Sequence, residues 1–138
     1  MLEDILINFK VNSDNKGKLA FFEAVKDISF EIKRVYFVYE VHQNTIRGKH
    51  AHKKLEQVLW CPYGEISVLL DDGKNSHEII LDSPEKSIIV RPGVWHEMKW
   101  NIDNSVLCVA ASEYYDESDY IREYKDFMSY IAKGYWSK

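Results

Sequence analysis

The chain is poor in the residues that break or staple a fold, with three prolines, six glycines and two cysteines among 138 residues. Two cysteines allow at most one bridge, so a disulfide-framed scaffold is excluded. Cys61 and Cys108 each lie within an apolar, strand-like run, which reads as a pair of buried thiols and not as a catalytic thiolate. Low-complexity segments, linkers and internal repeats are absent. The apolar runs are short, as in Ser87–Val90 and Val106–Ala111, far below the roughly 20 residues that span a bilayer. The formal charge is −4 with both signs dispersed, so there is no basic stripe for nucleic acid. Met1-Leu2-Glu3-Asp4 has neither the basic region nor the apolar stretch of a secretory leader. The expectation is a soluble, cytoplasmic protein without a nucleic-acid or membrane partner.

Aromatic residues are abundant instead: nine Tyr, six Phe and four Trp. The length suits one domain spanning 1–138 around one core. Short β-rich runs alternate with turn signals. Strands are expected over Ile5–Val11, Leu19–Ala24, Ile32–Val41, Gln57–Trp60, Glu65–Leu70, His77–Leu81, Ser87–Val90 and Val106–Ser112. Ser13–Lys18, Pro62-Tyr63-Gly64, Asp71-Asp72-Gly73-Lys74, Asp82-Ser83-Pro84 and Arg91-Pro92-Gly93 supply the turns. This spacing predicts an all-β sandwich or barrel over 1–115. Beyond it, Tyr120, Tyr124, Phe127 and Ile131 recur at helical spacing. They predict a C-terminal α-helix within 116–134, with Ser118 or Asp119 as cap and Gly134 at its end.

The chemistry is concentrated in Arg47-Gly48-Lys49-His50-Ala51-His52. In an extended strand, residues two apart share a face, so His50 and His52 should enter one cavity together. Glu56 follows, and His96 lies in Pro92-Gly93-Val94-Trp95-His96. This arrangement resembles the two sequence motifs of the cupin superfamily, in whose metal-binding members three His and one Glu hold an ion. His50, His52, Glu56 and His96 would be those ligands, a set that suits a transition metal. Arg34, Arg47, Lys49, Lys53 and Lys54 surround the motif, however, and favour an anionic ligand such as a diphosphate over a second cation.

Longer blocks narrow the resemblance. They are Ile32-Lys33-Arg34-Val35-Tyr36, Arg47 through Gln57, Leu81-Asp82-Ser83-Pro84, Trp95-His96-Glu97-Met98 and Ser112 through Arg122. Together they resemble the dTDP-sugar 3,4-ketoisomerase family across nearly the whole chain. The resemblance implies a cupin (jelly-roll) β-barrel with a C-terminal helix, acting on dTDP-4-dehydro-6-deoxyglucose. The ketone moves from carbon 4 to carbon 3, without metal or other cofactor, in the synthesis of dideoxy-aminosugars such as those of lipopolysaccharide. It also implies a homodimer that exchanges N-terminal strands.

On this resemblance His50 and His52 are the catalytic acid–base pair. Lys16, Arg34, Tyr36, Arg47 and His96 are expected to bind substrate, with Arg34 and Arg47 on the diphosphate and Lys16 or Lys18 arriving from an exchanged segment. Tyr36, Tyr39, Trp95 and Trp100 offer flat faces for stacking. A basic residue at 16 with His at 96 is similar to the members that give a galacto product. Two other readings stay open: a metal-dependent cupin enzyme, and a non-catalytic sugar-nucleotide-binding module.

Overall fold

A computed structural model describes residues 2–137. In chain order the first strands are β1 (Leu6–Asn8), β2 (Lys10–Asp14), β3 (Gly17–Phe21), β4 (Arg34–Val38), β5 (Ile46–His52) and β6 (Gln57–Tyr63). They are followed by β7 (Ile66–Asp71), β8 (Ser76–Leu81), β9 (Lys86–Val90), β10 (Trp95–Trp100), β11 (Val106–Ala111) and β12 (Tyr120–Ile121), and then by helix α1 (Tyr124–Ala132). One sheet runs β1-β9-β6-β11-β4 and a second β12-β5-β10-β7-β8, while β2 and β3 pair only with each other. Within each large sheet several neighbours are remote in sequence, the mark of a jelly roll.

Alternation along the strands builds the interior. Ile66, Val68 and Leu70 of β7 are fully buried, as is Trp100 of β10, and they meet Leu59, Ile88, Leu107 and Val109 from the other sheet. Turn chemistry closes the hairpins. Asp72 Oδ1 accepts the N–H groups of Lys74 and Asn75, and Asp71 Oδ1 that of Gly73. Gly64 is required by space: a Cβ there would lie 2.0 Å from Ser105 Oγ.

Several boundaries differ from expectation. The strand expected over 5–11 breaks at Phe9, whose ring turns inward to stack on Phe22 at 4.5 Å. β10, in the middle of its sheet, is not among the strands the pattern predicts. The largest correction concerns the C-terminal segment of 116–134, where the helix begins only at Tyr124 and not directly after Ser118 or Asp119. Glu117–Asp119 form a single 3₁₀ turn capped by Asp116, and Tyr120 and Ile121 pair with His52 and Ala51 of β5. Neither Ser118 nor Asp119 caps α1; Glu123 holds that position without a side-chain bond. Gly134, at φ 67°, does end the helix region, its N–H donating to Ile131 O.

α1 lies behind the histidine strand. Its fully buried Phe127 packs with Ala51, Trp95 and Ile121 in a second apolar cluster, on the face of β5 and β10 that points away from the barrel interior. The helix thus stiffens the strand that carries the site.

Candidate active site

β5 owes its geometry to a bulge. His50 stands opposite His96, but Gly48 stands opposite Glu97, so Lys49 is the extra residue. Gly48 and Lys49 both have positive φ, at 89° and 58°. A Cβ on Gly48 would meet Met98 Cε at 2.9 Å and the His96 carbonyl at 3.2 Å, so only glycine fits this backbone. The bulge also decides where Arg47 points. Without it, Arg47 would face away from His50; with it, Arg47 opposes inward-facing Met98 and shares the histidines' face, exposed toward the mouth.

Three imidazoles converge inside. The rings of His50 and His96 are 4.6 Å apart, those of His50 and His52 4.8 Å, and those of His52 and His96 5.5 Å. Burial is the first cause holding all of them below the ordinary histidine range. His50 falls to about 3, with His96 adding to the effect, and His52 to about 2, with His96, His50 and Arg34 contributing. His96 falls to about 4, partly opposed by its bond to the Val94 carbonyl. At neutral pH these rings are uncharged and each offers a lone pair. The Val94 carbonyl only accepts, so the 3.1 Å contact assigns the His96 hydrogen to Nδ1. His50 Nδ1 and both ring nitrogens of His52 have no hydrogen-bond partner.

The facing sheet contributes Arg34, Tyr36 and Gln57, in register beside Ala111 and Val109. Arg34 Nε and Nη2 are buried without a partner, and its guanidinium lies over the rings of Tyr36 and Tyr115 at 5.2 and 5.6 Å. Buried guanidinium N–H groups without an acceptor are costly unless an anion arrives. Gln57 Nε2 donates to Tyr36 Oη at 2.8 Å, which leaves the phenol hydrogen free to be given elsewhere. Burial raises that phenol to about 12, so it stays protonated.

Residues 115–122 close one side. The Tyr120 ring rests against His52 at 4.4 Å and His50 at 5.1 Å, and Arg122 covers it at 4.5 Å while paired to Glu117 through Nε and Nη2. Asp119 binds the backbone after His52, accepting from Lys54 and Leu55, and its Oδ2 lies 3.6 Å from His52 Nδ1. Sequence reasoning assigned Tyr120 to a helix and Asp119 to its cap. Gln57 appeared in it only as the end of a motif and the start of a strand.

The expected site residues therefore separate. His50, His52 and His96 share one cavity with Arg34 and Tyr36, and Arg47, exposed, lies opposite Met98 on the same face of β5. Lys16 does not join them within this chain: it sits at the exposed β2–β3 turn, its N–H bonded to Asp14. Lys53 turns outward, with Nζ over the Tyr130 ring of α1. Trp95 packs under α1, Trp100 is sealed in the core and donates to the Ser105 carbonyl, and Tyr39 lies exposed beside Phe37. Of the four aromatics expected to stack on substrate, these three are placed elsewhere.

For a metal, the donor set is incomplete. Among the described residues, the ligand atoms of His50, His52 and His96 lie within 4.8 Å of one another, and three neutral imidazoles suit a transition ion. Glu56 does not belong to this group, and its neighbour Gln57 takes the inward position. Arg34, close enough to depress His52, adds a positive charge that disfavours a dication.

Fold and cavity together define a class: jelly-roll barrels of the cupin kind that gather imidazoles at one end of the barrel. Within it, the chain belongs to the family described as FdtA: WxcM-like, C-terminal, which matches residues 3–132. It is 51% identical over 132 residues to a TDP-4-oxo-6-deoxy-alpha-D-glucose-3,4-oxoisomerase of Aneurinibacillus thermoaerophilus, covering 96% of this chain and 95% of that one. A histidine-to-asparagine mutant of the 3,4-ketoisomerase QdtA from Thermoanaerobacterium thermosaccharolyticum, solved in complex with TDP-4-keto-6-deoxyglucose, superposes with a TM-score of 0.91. It shares 41% identity, and the match covers 96% of this chain and 97% of that chain. The WlaRB TDP-quinovose 3,4-ketoisomerase of Campylobacter jejuni superposes at 0.87 with 39% identity, over 93% and 99% of the two chains.

Proposed function

We infer that this chain is a TDP-sugar 3,4-ketoisomerase acting on TDP-4-keto-6-deoxyglucose. The observation that carries the reading is the set of uncharged imidazoles facing an unpaired guanidinium and a phenol with a free hydrogen. The carbonyl at carbon 4 acidifies the hydrogen on carbon 3. His50 or His52 takes that proton, and the electrons of the C–H bond form the double bond of an enediolate. The hydroxyl hydrogen on oxygen 3 then passes to oxygen 4 through the second imidazole, and a proton delivered to carbon 4 leaves the carbonyl on carbon 3. No electron enters or leaves the substrate overall. Tyr36 stabilises the enediolate by donating its free hydrogen, Arg34 and Arg47 grip the diphosphate, and His96 completes the imidazole set.

Two finer assignments accompany this reading. The product is the galacto epimer, a choice supported by the basic residue at 16 together with His96 beside His50. The working assembly is a cytoplasmic homodimer that exchanges its N-terminal strands. Every residue of β2 and all but the last of β3 are exposed, and an isolated two-stranded hairpin is marginal in water. Val35 and Phe37 of edge strand β4, and Tyr39 just beyond it, are 58%, 60% and 57% exposed. Such an exchange gives Lys16, exposed at the β2–β3 turn, a route to a partner's diphosphate site.

Incubation with TDP-4-keto-6-deoxyglucose in deuterated water, followed by NMR, tests the activity. The expected product is a 3-keto sugar carrying solvent deuterium at carbon 4; unchanged sugar without deuterium refutes the reading. In ordinary water, an axial hydrogen at carbon 4 refutes the galacto assignment. A metal-dependent reaction, for which the three converging imidazoles speak, would instead require stoichiometric metal whose removal stops turnover. Sedimentation at micromolar concentration reads the assembly.

A further inference from the structure

Asp119 is a largely covered carboxylate beside His52 that the proton relay leaves unused. Its side chain is only 12% exposed, and three successive residues after His52 hold it in place. Its carbonyl accepts the Lys53 N–H at 3.0 Å, Oδ1 accepts that of Lys54 at 2.9 Å, and Oδ2 that of Leu55 at 3.3 Å. The carboxylate is therefore fixed to the very turn by which the chain leaves His52. Oδ2 faces His52 Nδ1 across 3.6 Å, just beyond hydrogen-bond reach. A small rotation of the imidazole closes that gap, and such bonds commonly tighten when substrate binds.

The His52 ring needs such a partner. Neutral imidazole exists as two tautomers, and the hydrogen bond made by one nitrogen decides which nitrogen keeps the lone pair. For His96 the Val94 carbonyl makes that choice. For His52, neither nitrogen has a hydrogen-bond partner. Resting on the ketoisomerase reading, we propose that Asp119 is a positioning residue whose carboxylate accepts the Nδ1 hydrogen of His52 in the substrate-bound enzyme, leaving the Nε2 lone pair to face the sugar. Asp119 touches no reacting atom; it acts through His52.

The experiment is a long-range proton–nitrogen correlation spectrum of histidine-labelled protein saturated with TDP, with the His52 signals assigned by comparison with His52→Asn. The expected wild-type pattern has hydrogen on Nδ1 of His52 and a bare Nε2. In Asp119→Asn the amide oxygen still accepts from the backbone while its NH₂ faces His52, so the hydrogen moves to Nε2. In the same variant, kcat falls about 10–100-fold, as for groups that orient an imidazole from behind, while KM stays within about twofold. Hydrogen on Nε2 in the wild type overturns the proposal, as does an Asn variant with unchanged tautomer and kcat. Should Asp119→Asn not fold, the wild-type spectrum alone decides. A protein with the expected tautomer that leaves the sugar unchanged supports the role of Asp119 and refutes the ketoisomerase reading, so the two failures are distinct.

Discussion

At the scale of single residues, Arg34 shows how a site can be built at the expense of the empty fold. Its Nε and Nη2 are buried and unpaired, and a buried charge with no partner is destabilising. Arg34→Met should therefore fold at least as stably as the wild type when no ligand is present. TDP should raise the melting temperature of the wild type and leave that of Arg34→Met nearly unchanged; an equal rise in both removes Arg34 from the anion site. Arg34→Lys keeps the charge but loses the planar fork, so KM should rise by about tenfold or more with kcat little affected. The imidazoles behave differently, since in the proposed relay they act on the reacting atoms. His50→Gln and His52→Gln should each lower kcat by about 10²–10⁴ without shifting the unfolding midpoint greatly, and chelators should leave wild-type turnover unchanged. Full turnover in either variant excludes that histidine from the relay.

At the scale of elements, the bulge in β5 is the device on which the cavity depends. Gly48→Ala places a Cβ 2.9 Å from Met98 Cε at a φ of 89°, a strain on the order of 1–3 kcal/mol. Its expected effect is a lower melting temperature together with weakened diphosphate binding, because relaxing the bulge turns Arg47 toward the other face. A stable variant with wild-type KM means that the bulge does not orient Arg47.

This bulge also marks the limit of what the sequence reveals. The period-2 rule places His50 and His52 together, and they are together, but the same rule puts Arg47 on the wrong side. β10 escapes notice because its inward row opens with a polar residue, His96, and its outward row with an apolar one, Trp95. Met98, Lys99 and Trp100 do alternate in and out, but Trp95 lies under α1 on the other face, so only three residues carry a readable pattern. Tyr120 mimics a helical position because it lies four residues before Tyr124, yet its backbone pairs with His52. That pairing, like the reach of Asp119 to Lys54 across 65 residues, is a contact between distant segments that local spacing cannot encode. The jelly roll and the histidine cluster were legible; the strap of residues that closes over them was not.

At the scale of the whole molecule, the same burial that prepares the imidazoles should make the fold sensitive to mild acid. An ordinary histidine titrates at 6.5, whereas His50, His52 and His96 are held at about 3, 2 and 4. Between these values the unfolded chain binds protons that the native state refuses, so stability rises with pH across this window. The contribution is full above pH 6.5 and is lost as the pH falls toward 4 and below. Each such proton is worth about 1.4 kcal/mol per pH unit, so three of them place the loss by pH 5 on the order of several kcal/mol, a large part of a typical domain's stability. The onset lies above the range in which carboxylates take up protons, which separates the two causes. Urea unfolding at intervals from pH 7.5 to 5 should show a flat region followed by a fall beginning near pH 6.5. Replacing His96 by Gln should remove about one proton from the slope without shifting the onset. A stability profile that stays level down to pH 5.5 means that these imidazoles accept protons in the folded protein. Burial is the main cause of the depression, but Arg34 contributes to that of His52, and a diphosphate bound at Arg34, as proposed, should return part of that basicity in the complex. The acidic limb of kcat should accordingly lie at higher pH than that of kcat/KM; coincident limbs would show that substrate charge does nothing to restore the basicity of the pair.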